Sequence, residues 1–310
     1  MLRYRSDLRT LAFVAVYFVA FGAIWTRTPT SVWGVALAVV FLSWLSWVNA
    51  VITHNVIHSP VFRSRALNRA LGFVLSLAYG FAVSDYIPGH NLSHHRYTQS
   101  RRDVMRTTKA PFRWHLLNLL LFFFCVAFAV AGANARYVEE AKTQHRAWYK
   151  QRTLEVILIW SVKIGLLLLD WKRALLFVGI PHLGAVWGIT TVNLLQHDGC
   201  DGDHPYNHSR NFVGGLFNWF YFNNGYHGMH HEEPGLHWSL LPAAHEERIA
   251  PFVHPALEQR SLTLYVWKTF VWPGKRLRYD GVPVVIPAEG PDEDWLHAGD
   301  AAVLSASVPS

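Results

Sequence analysis

The chain is a succession of apolar runs separated by polar stretches that carry histidines and arginines. Six runs stand out, at residues 10–26, 31–52, 70–83, 115–133, 154–169 and 174–195. A membrane-crossing helix needs about 20 apolar residues, with a range of roughly 17–25, so the third run is short and the fifth marginal. The pattern predicts an all-α integral membrane protein. Composition agrees: of 310 residues 51% are hydrophobic and only 16% charged, which is apolar for a soluble globule. Arg3, Arg5 and Arg9 precede the first run, but Ile24, Trp25, Thr26 and Arg27 follow it in place of a small-residue cleavage site, so the run reads as a retained helix.

Histidine supplies the candidate chemistry. Nine of the 18 histidines fall into four groups: His54 and His58; His90, His94 and His95; His197 alone; and His227, His230 and His231. On a helix, residues three and four apart are surface neighbours, with Cβ atoms about 5–6 Å apart, so two such rings can reach one metal ion. Each triple-histidine pattern is expected about 0.06 times by chance in a chain of this composition, which makes the second and fourth groups strong signals. A bare H-x-x-x-H pair turns up on the order of once, so His54 with His58 enters as a partner of the stronger boxes. His204 with His208, beside Pro205 and Asn207, reads as a structural or solvent-facing loop pair.

Ligands of shared ions must lie on one side of the bilayer, because an apolar core of about 30 Å cannot be bridged by side chains. That requirement predicts four spans, runs one, two, five and six, with runs three and four in or dipping into the interface. Basic residues support this. Arg63, Arg65, Arg69, Arg96, Arg101, Arg102, Arg106, Lys109, Arg113, Arg136, Lys142, Arg146, Lys150 and Arg152 fall on the histidine side, against Arg27, Lys172 and Arg173 on the other. The bias places the histidine boxes in the cytoplasm. The net charge of +7 is thereby explained as span flanks, and no nucleic-acid partner is expected. Lys163 lies inside the fifth run, where a lysine costs about 2.5–3.5 kcal/mol at mid-bilayer, and is expected to snorkel to the outer headgroups. His182, after Pro181, is expected to be a packed histidine beside a kink. Two cysteines, Cys125 and Cys200, form neither a disulfide framework nor a C-x-x-C site.

The domain expectation is one membrane domain over 1–275 and a polar, flexible C-terminal tail over 276–310. Imidazole suits zinc, copper, nickel and iron alike. Nine histidines suffice for two ions with four or five ligands each, and hydrolytic zinc would not need so many. A dinuclear redox centre on a membrane face suits oxygen-dependent attack on an alkyl chain. Asn55, Asn91, Gln196, Asp198 and Asn224 are the nearby candidates for supporting hydrogen bonds.

HNVIH at 54–58, HNLSHH at 90–95 and HGMHH at 227–231 resemble the three histidine boxes of the membrane fatty acid desaturases and hydroxylases, a four-span family. Box order and spacing agree over nearly all the chain before the tail, and Asn193 with His197 in NLLQH resembles the family's Asn-x-x-x-His element. The resemblance implies that the nine histidines bind two Fe2+ ions, that Asn193 holds a metal-bound water or orients a ligand, and that O2 is co-substrate. It further implies a separate electron donor, a ferredoxin or a small b-type cytochrome with its reductase, and a lipid or acyl thioester substrate among membrane lipids. The middle box, H-x-x-x-H-H, is longer than that of many acyl desaturases and is similar to that of bacterial alkane hydroxylases. Desaturation of an acyl chain is the leading expectation. Hydroxylation or ketolation of a lipid, alkane or carotenoid stays open beside it, with polytopic metal transport or sensing as the remote alternative.

Overall fold

In a computed structural model, residues 1–286 and 290–296 are described. They are overwhelmingly helical, with only two short paired strands, β1 (Asn211–Phe212) and β2 (Glu258–Gln259), which run parallel. The long helices are α1 (Asp7–Thr26), α2 (Val32–His58), α3 (Arg65–Tyr79), α4 (His115–Gln144), α5 (Arg146–Leu169) and α6 (Ile180–His197). Serine caps set two of the starts: Ser31 accepts from the Gly34 N–H at 3.0 Å and Ser64 from the Leu67 N–H at 3.4 Å, satisfying donors that a helix N-terminus leaves open.

Among the described residues four helical runs are long and apolar enough to cross a membrane: α1, α2, α4 and the run Trp171–His197, in which a π-helical turn leads into α6. Four is the expected number, but the membership differs. The fourth apolar run, expected at the interface, forms the 30-residue α4. The fifth, expected to span, forms α5, whose last 18 residues hold three charges, Arg152, Glu155 and Lys163. The third run is as expected too short to span alone. It forms α3, bent by 85° from the following segment Val83–Tyr97, the shape of a broken span or a re-entrant loop. Large apolar side chains such as Phe128, Leu168 and Trp33 remain more than four-fifths exposed, as a lipid-facing surface requires.

The chain divides into two compact units. The first comprises Met1–Ile87 and Val138–Ile189. Its core is the middle of α2, where Ala38 and Leu42 pack on Phe177, and Ala50 on Tyr79 and Ala185. Lys163 does not snorkel. Its ammonium donates to the Gly80 carbonyl at 2.8 Å and lies over the Phe81 and Trp160 rings. Gly80 is the left-handed residue ending α3, and a cation there meets the negative end of the helix dipole and an orphan carbonyl. His182 is a packed histidine as expected, 5% exposed and 3.1 Å from the Tyr17 hydroxyl.

The second unit comprises Pro88–Tyr137 and Thr190–Asp300, with Phe122, Val126, Leu194, Phe212 and Phe270 in its core. The stretch expected to be a flexible tail is packed over its first residues. Arg276 pairs with Asp198 and donates to the Ala110 carbonyl, Asp292 pairs with Arg106 and Lys109, and Trp295 is buried against Tyr137. Residues 287–289 and 297–310 of that stretch lie outside the described residues.

Candidate metal centre

Within the second unit, His94, His197, His227 and His231 bring one ring nitrogen each to a common point, all four lying within 4.8 Å of one another. His94 ends a π-helical segment, Ile87–His94, and His197 ends α6; His227 and His231 sit one turn apart on α7 (His227–Glu232). Nε2 of His227 is 2.8 Å from Nε2 of His197 and 3.2 Å from Nε2 of His231. Metal–nitrogen bonds of about 2.0–2.1 Å put the ligand nitrogens of one ion on the order of 3–4 Å apart, so these separations fit a single cation. Nε2 of His94 is buried without a hydrogen-bond partner among the described residues, although a buried lone pair is costly unless something takes it. An all-imidazole set with such an orphan fits a transition-metal ion.

Tautomers support the same reading. Nδ1–H of His94 donates to Oδ2 of Asp103 at 2.9 Å, and Nδ1–H of His197 to the His208 carbonyl at 3.0 Å. Each bond leaves the Nε2 lone pair facing the cluster. Burial, then the neighbouring His227, His197 and His94, push His231 well below the ordinary histidine range, which keeps that ring neutral and able to ligate.

A second convergence lies beside it in the same unit: Nε2 of His95 is 3.0 Å from that of His90 and 3.1 Å from that of His230. His54 and His58 stand one turn apart at the end of α2 in the first unit, ring centroids 5.3 Å apart. The boxes therefore do not each present a single face. The middle box sends His90 and His95 one way and His94 the other; the last sends His230 one way and His227 with His231 the other. Consecutive residues on an α-helix are rotated by about 100°, so an adjacent H-H pair addresses two sites. The wider π-helical turn preceding His95 lets His90 and His95, five apart, meet.

Other elements hold these histidines. Asp103 is fully buried and also accepts from the Gln99 and Met105 N–H groups, tying the loop after the middle box. Asp198 is clamped by Arg276, and Arg210 donates to the carbonyls of Leu195 and Asp198, placing a cation at the C-terminal end of α6. Asn211 accepts from the Gly228 N–H at 2.8 Å and donates to Glu258, anchoring the start of α7. Gly225 just before it approaches the backbone so closely that a Cβ would stand 2.1 Å from the Phe212 carbonyl oxygen.

Among the sequence candidates, Asn193 lies one turn before His197 and donates to the Met105 carbonyl at 2.9 Å. Gln196 donates to the Asn224 carbonyl. His204 accepts from the Tyr206 and Asn207 N–H groups, a local turn as expected. His208 contributes its carbonyl to His197. Cys200 is no thiolate donor, since burial pushes its thiol up to about 11. Asp103 and Arg276 were missed in the sequence. One is an acid among loop arginines and the other lies in the presumed tail, and neither carries a spacing signal.

Comparison with known proteins agrees. The profile described as "Fatty acid desaturase" matches residues 28–261. A sphingolipid delta(4)-desaturase DES1 of Drosophila melanogaster is 25% identical over 233 residues, covering 70% of this chain and 66% of that protein, just under two thirds of its length. A protein named fatty acid desaturase from Bacillus subtilis (strain 168) is 21% identical over 299 residues, covering 84% of this chain and 83% of its own. With the match spanning most of the chain and all four histidine groups, this protein belongs to the fatty acid desaturase family.

Proposed function

We propose that this chain is a membrane-bound, non-haem di-iron oxidoreductase that uses O2 to introduce a double bond into a lipid acyl chain. On this reading His94, His197, His227 and His231 serve as ligands of one iron, and the remaining five box histidines, His54, His58, His90, His95 and His230, are left to the other, as the family's two-iron pattern implies. Asn193, one turn from His197, orients a ligand or a bound water. The observation that carries the reading is the convergence of a lone histidine, His197, with members of two separate boxes on one point. A chance distribution of histidines does not produce such a cluster, and membership of the desaturase family supplies the chemistry it serves.

Bound iron would supply electron transfer to O2 and removal of hydrogen from an unactivated chain. The acyl chain loses two vicinal hydrogens, and O2 becomes two waters with two further electrons and protons from a separate donor, a ferredoxin or a small cytochrome. The protein's own part is positioning. Asp103 and the His208 carbonyl hold two ligands in the metal-binding tautomer, and Arg210 and Arg276 fix the end of α6 that carries His197. The positive residues around the boxes support a cytoplasmic placement for them, on the side where such donors reside.

Mass spectrometry of lipids from cells expressing the chain tests this. The expected product has lost two hydrogens from an acyl chain. A product that has gained one oxygen would replace desaturation by hydroxylation, and an unchanged lipid profile with iron and donor supplied would remove the assignment.

A further inference from the structure

A cavity of about 480 Å3 opens within the first unit, between the end of α2, the start of α3 and the start of α5. Its size falls in the range of about 300–1,000 Å3 usual for small-molecule sites. Ile57, Pro60, Val83, Ile87, Trp148 and Leu154 give it an apolar wall, and none of the nine histidines lines it.

Its polar residues divide into two sets. Those in the wall are satisfied by the protein: Asn68 exchanges hydrogen bonds with the Phe62 backbone, and Glu155 accepts from the Ser84 N–H at 3.0 Å and from Gln151 at 2.9 Å. The neighbouring Arg152 is paired with Asp85 at 2.9 Å. The three exposed cations that also line the cavity, Arg69, Arg146 and Lys150, have no carboxylate partner among the described residues. Arg69 projects from α3 and the other two from the first turns of α5. Three cations against one buried carboxylate, Glu155, leave the lining net positive, and an apolar cavity with such a rim complements an amphiphile with an anionic head.

We propose that this cavity is a binding site for an anionic glycerophospholipid, with one acyl chain against the apolar wall and the phosphate among Arg69, Arg146 and Lys150. The occupant comes from the bilayer. α3 is amphipathic and leaves Leu67 and Val74 exposed beside Arg65 and Arg69, the pattern of a helix lying in a lipid interface. The site rests on the cavity and its charges, independently of the metal chemistry.

The test is native mass spectrometry of the purified full-length protein titrated with phosphatidylglycerol, phosphatidylcholine and palmitoyl-CoA. One phosphatidylglycerol per chain is expected, at least tenfold tighter than either other probe. Each basic residue near an anionic lipid is worth about fivefold, so replacing Arg69, Arg146 and Lys150 together by glutamine should weaken retention on the order of a hundredfold. Lys142→Gln, at a lysine already held by Glu139 at 2.6 Å, should change nothing. Ala147→Trp, which fills the cavity from its rim, should expel the lipid whatever its head, and Arg146→Gln alone supplies the charge test should the triple variant fail to fold. Equal retention of phosphatidylcholine, tighter binding of palmitoyl-CoA, or retention unchanged in the Arg69, Arg146 and Lys150 or the Ala147 variants would each overturn the proposal.

Discussion

At the residue scale, one carboxylate sets His94 apart from a histidine in a local turn. Asp103 accepts the Nδ1 proton of His94 and so dedicates the opposite nitrogen to the cluster. Outer partners of metal-bound histidines are worth about 10–100-fold in affinity. Asp103→Asn is therefore expected to lose iron that much more readily to a chelator while helical content stays unchanged; wild-type retention would reduce Asp103 to a loop tie. A second comparison separates the buried His94, at the end of a π-helical segment, from the half-buried His204 in a loop. His94→Ala should drop the iron content of the purified protein by at least one ion per chain, whereas His204→Ala, at a ring that only closes a turn, should keep it. The histidines that converge were legible because close triple repeats of one residue are improbable even in a chain with 18 of them. Asp103 was not, because its nine-residue separation from His94 crosses a loop whose path no local pattern records.

At the scale of elements, the helices followed the apolar runs, and the departures occurred where charge and hydropathy compete. An even number of crossings precedes every box whether the third crossing is α4 or α5, so the same-side requirement could not choose between them. The three charges in the last 18 residues of α5 are what distinguish the two. The split of each triple box between two clusters was legible in principle from the adjacent H-H pairs, since neighbours on a helix cannot share a face. The π-helical turn that brings His90 to His95 was not.

Two further elements carry tests. Gly80 ends α3 with φ at 90°, and a Cβ there would lie 2.1 Å from the His182 ring. Gly80→Ala should destabilise by about 1–3 kcal/mol from backbone strain and by more from the clash, read as a lowered unfolding temperature in detergent; an unchanged temperature would mean that this corner rearranges freely. The early part of the tail is fastened by Asp292. Burial opposes its charge, but Lys109 and Arg106 outweigh that and hold the carboxyl below its usual 3.8. A depressed pKa means the anchor is complete at neutral pH and is lost only as pH falls through that lower value. Hydrogen exchange over residues 290–296 should thus stay slow at pH 5 in the wild type and speed up at pH 7 in Asp292→Asn. Equally slow exchange in the variant would assign the docking to Arg276 and Trp295 alone.

At the scale of the whole molecule, apolar composition and arginine-rich flanks announced a polytopic membrane protein, and the histidine groups its chemistry. The chain spends nine histidines where zinc hydrolysis would need three or four protein ligands. It brings four of them to a single cluster, two with the tautomer set by an outer hydrogen bond. On the function proposed above, that surplus of imidazole serves two redox ions. The most direct test is elemental analysis of the protein purified intact from iron-replete cells. Close to two irons per chain, falling on loss of His94 or of His230 but not of His204, is the result this account requires. Stoichiometric zinc without iron would contradict it.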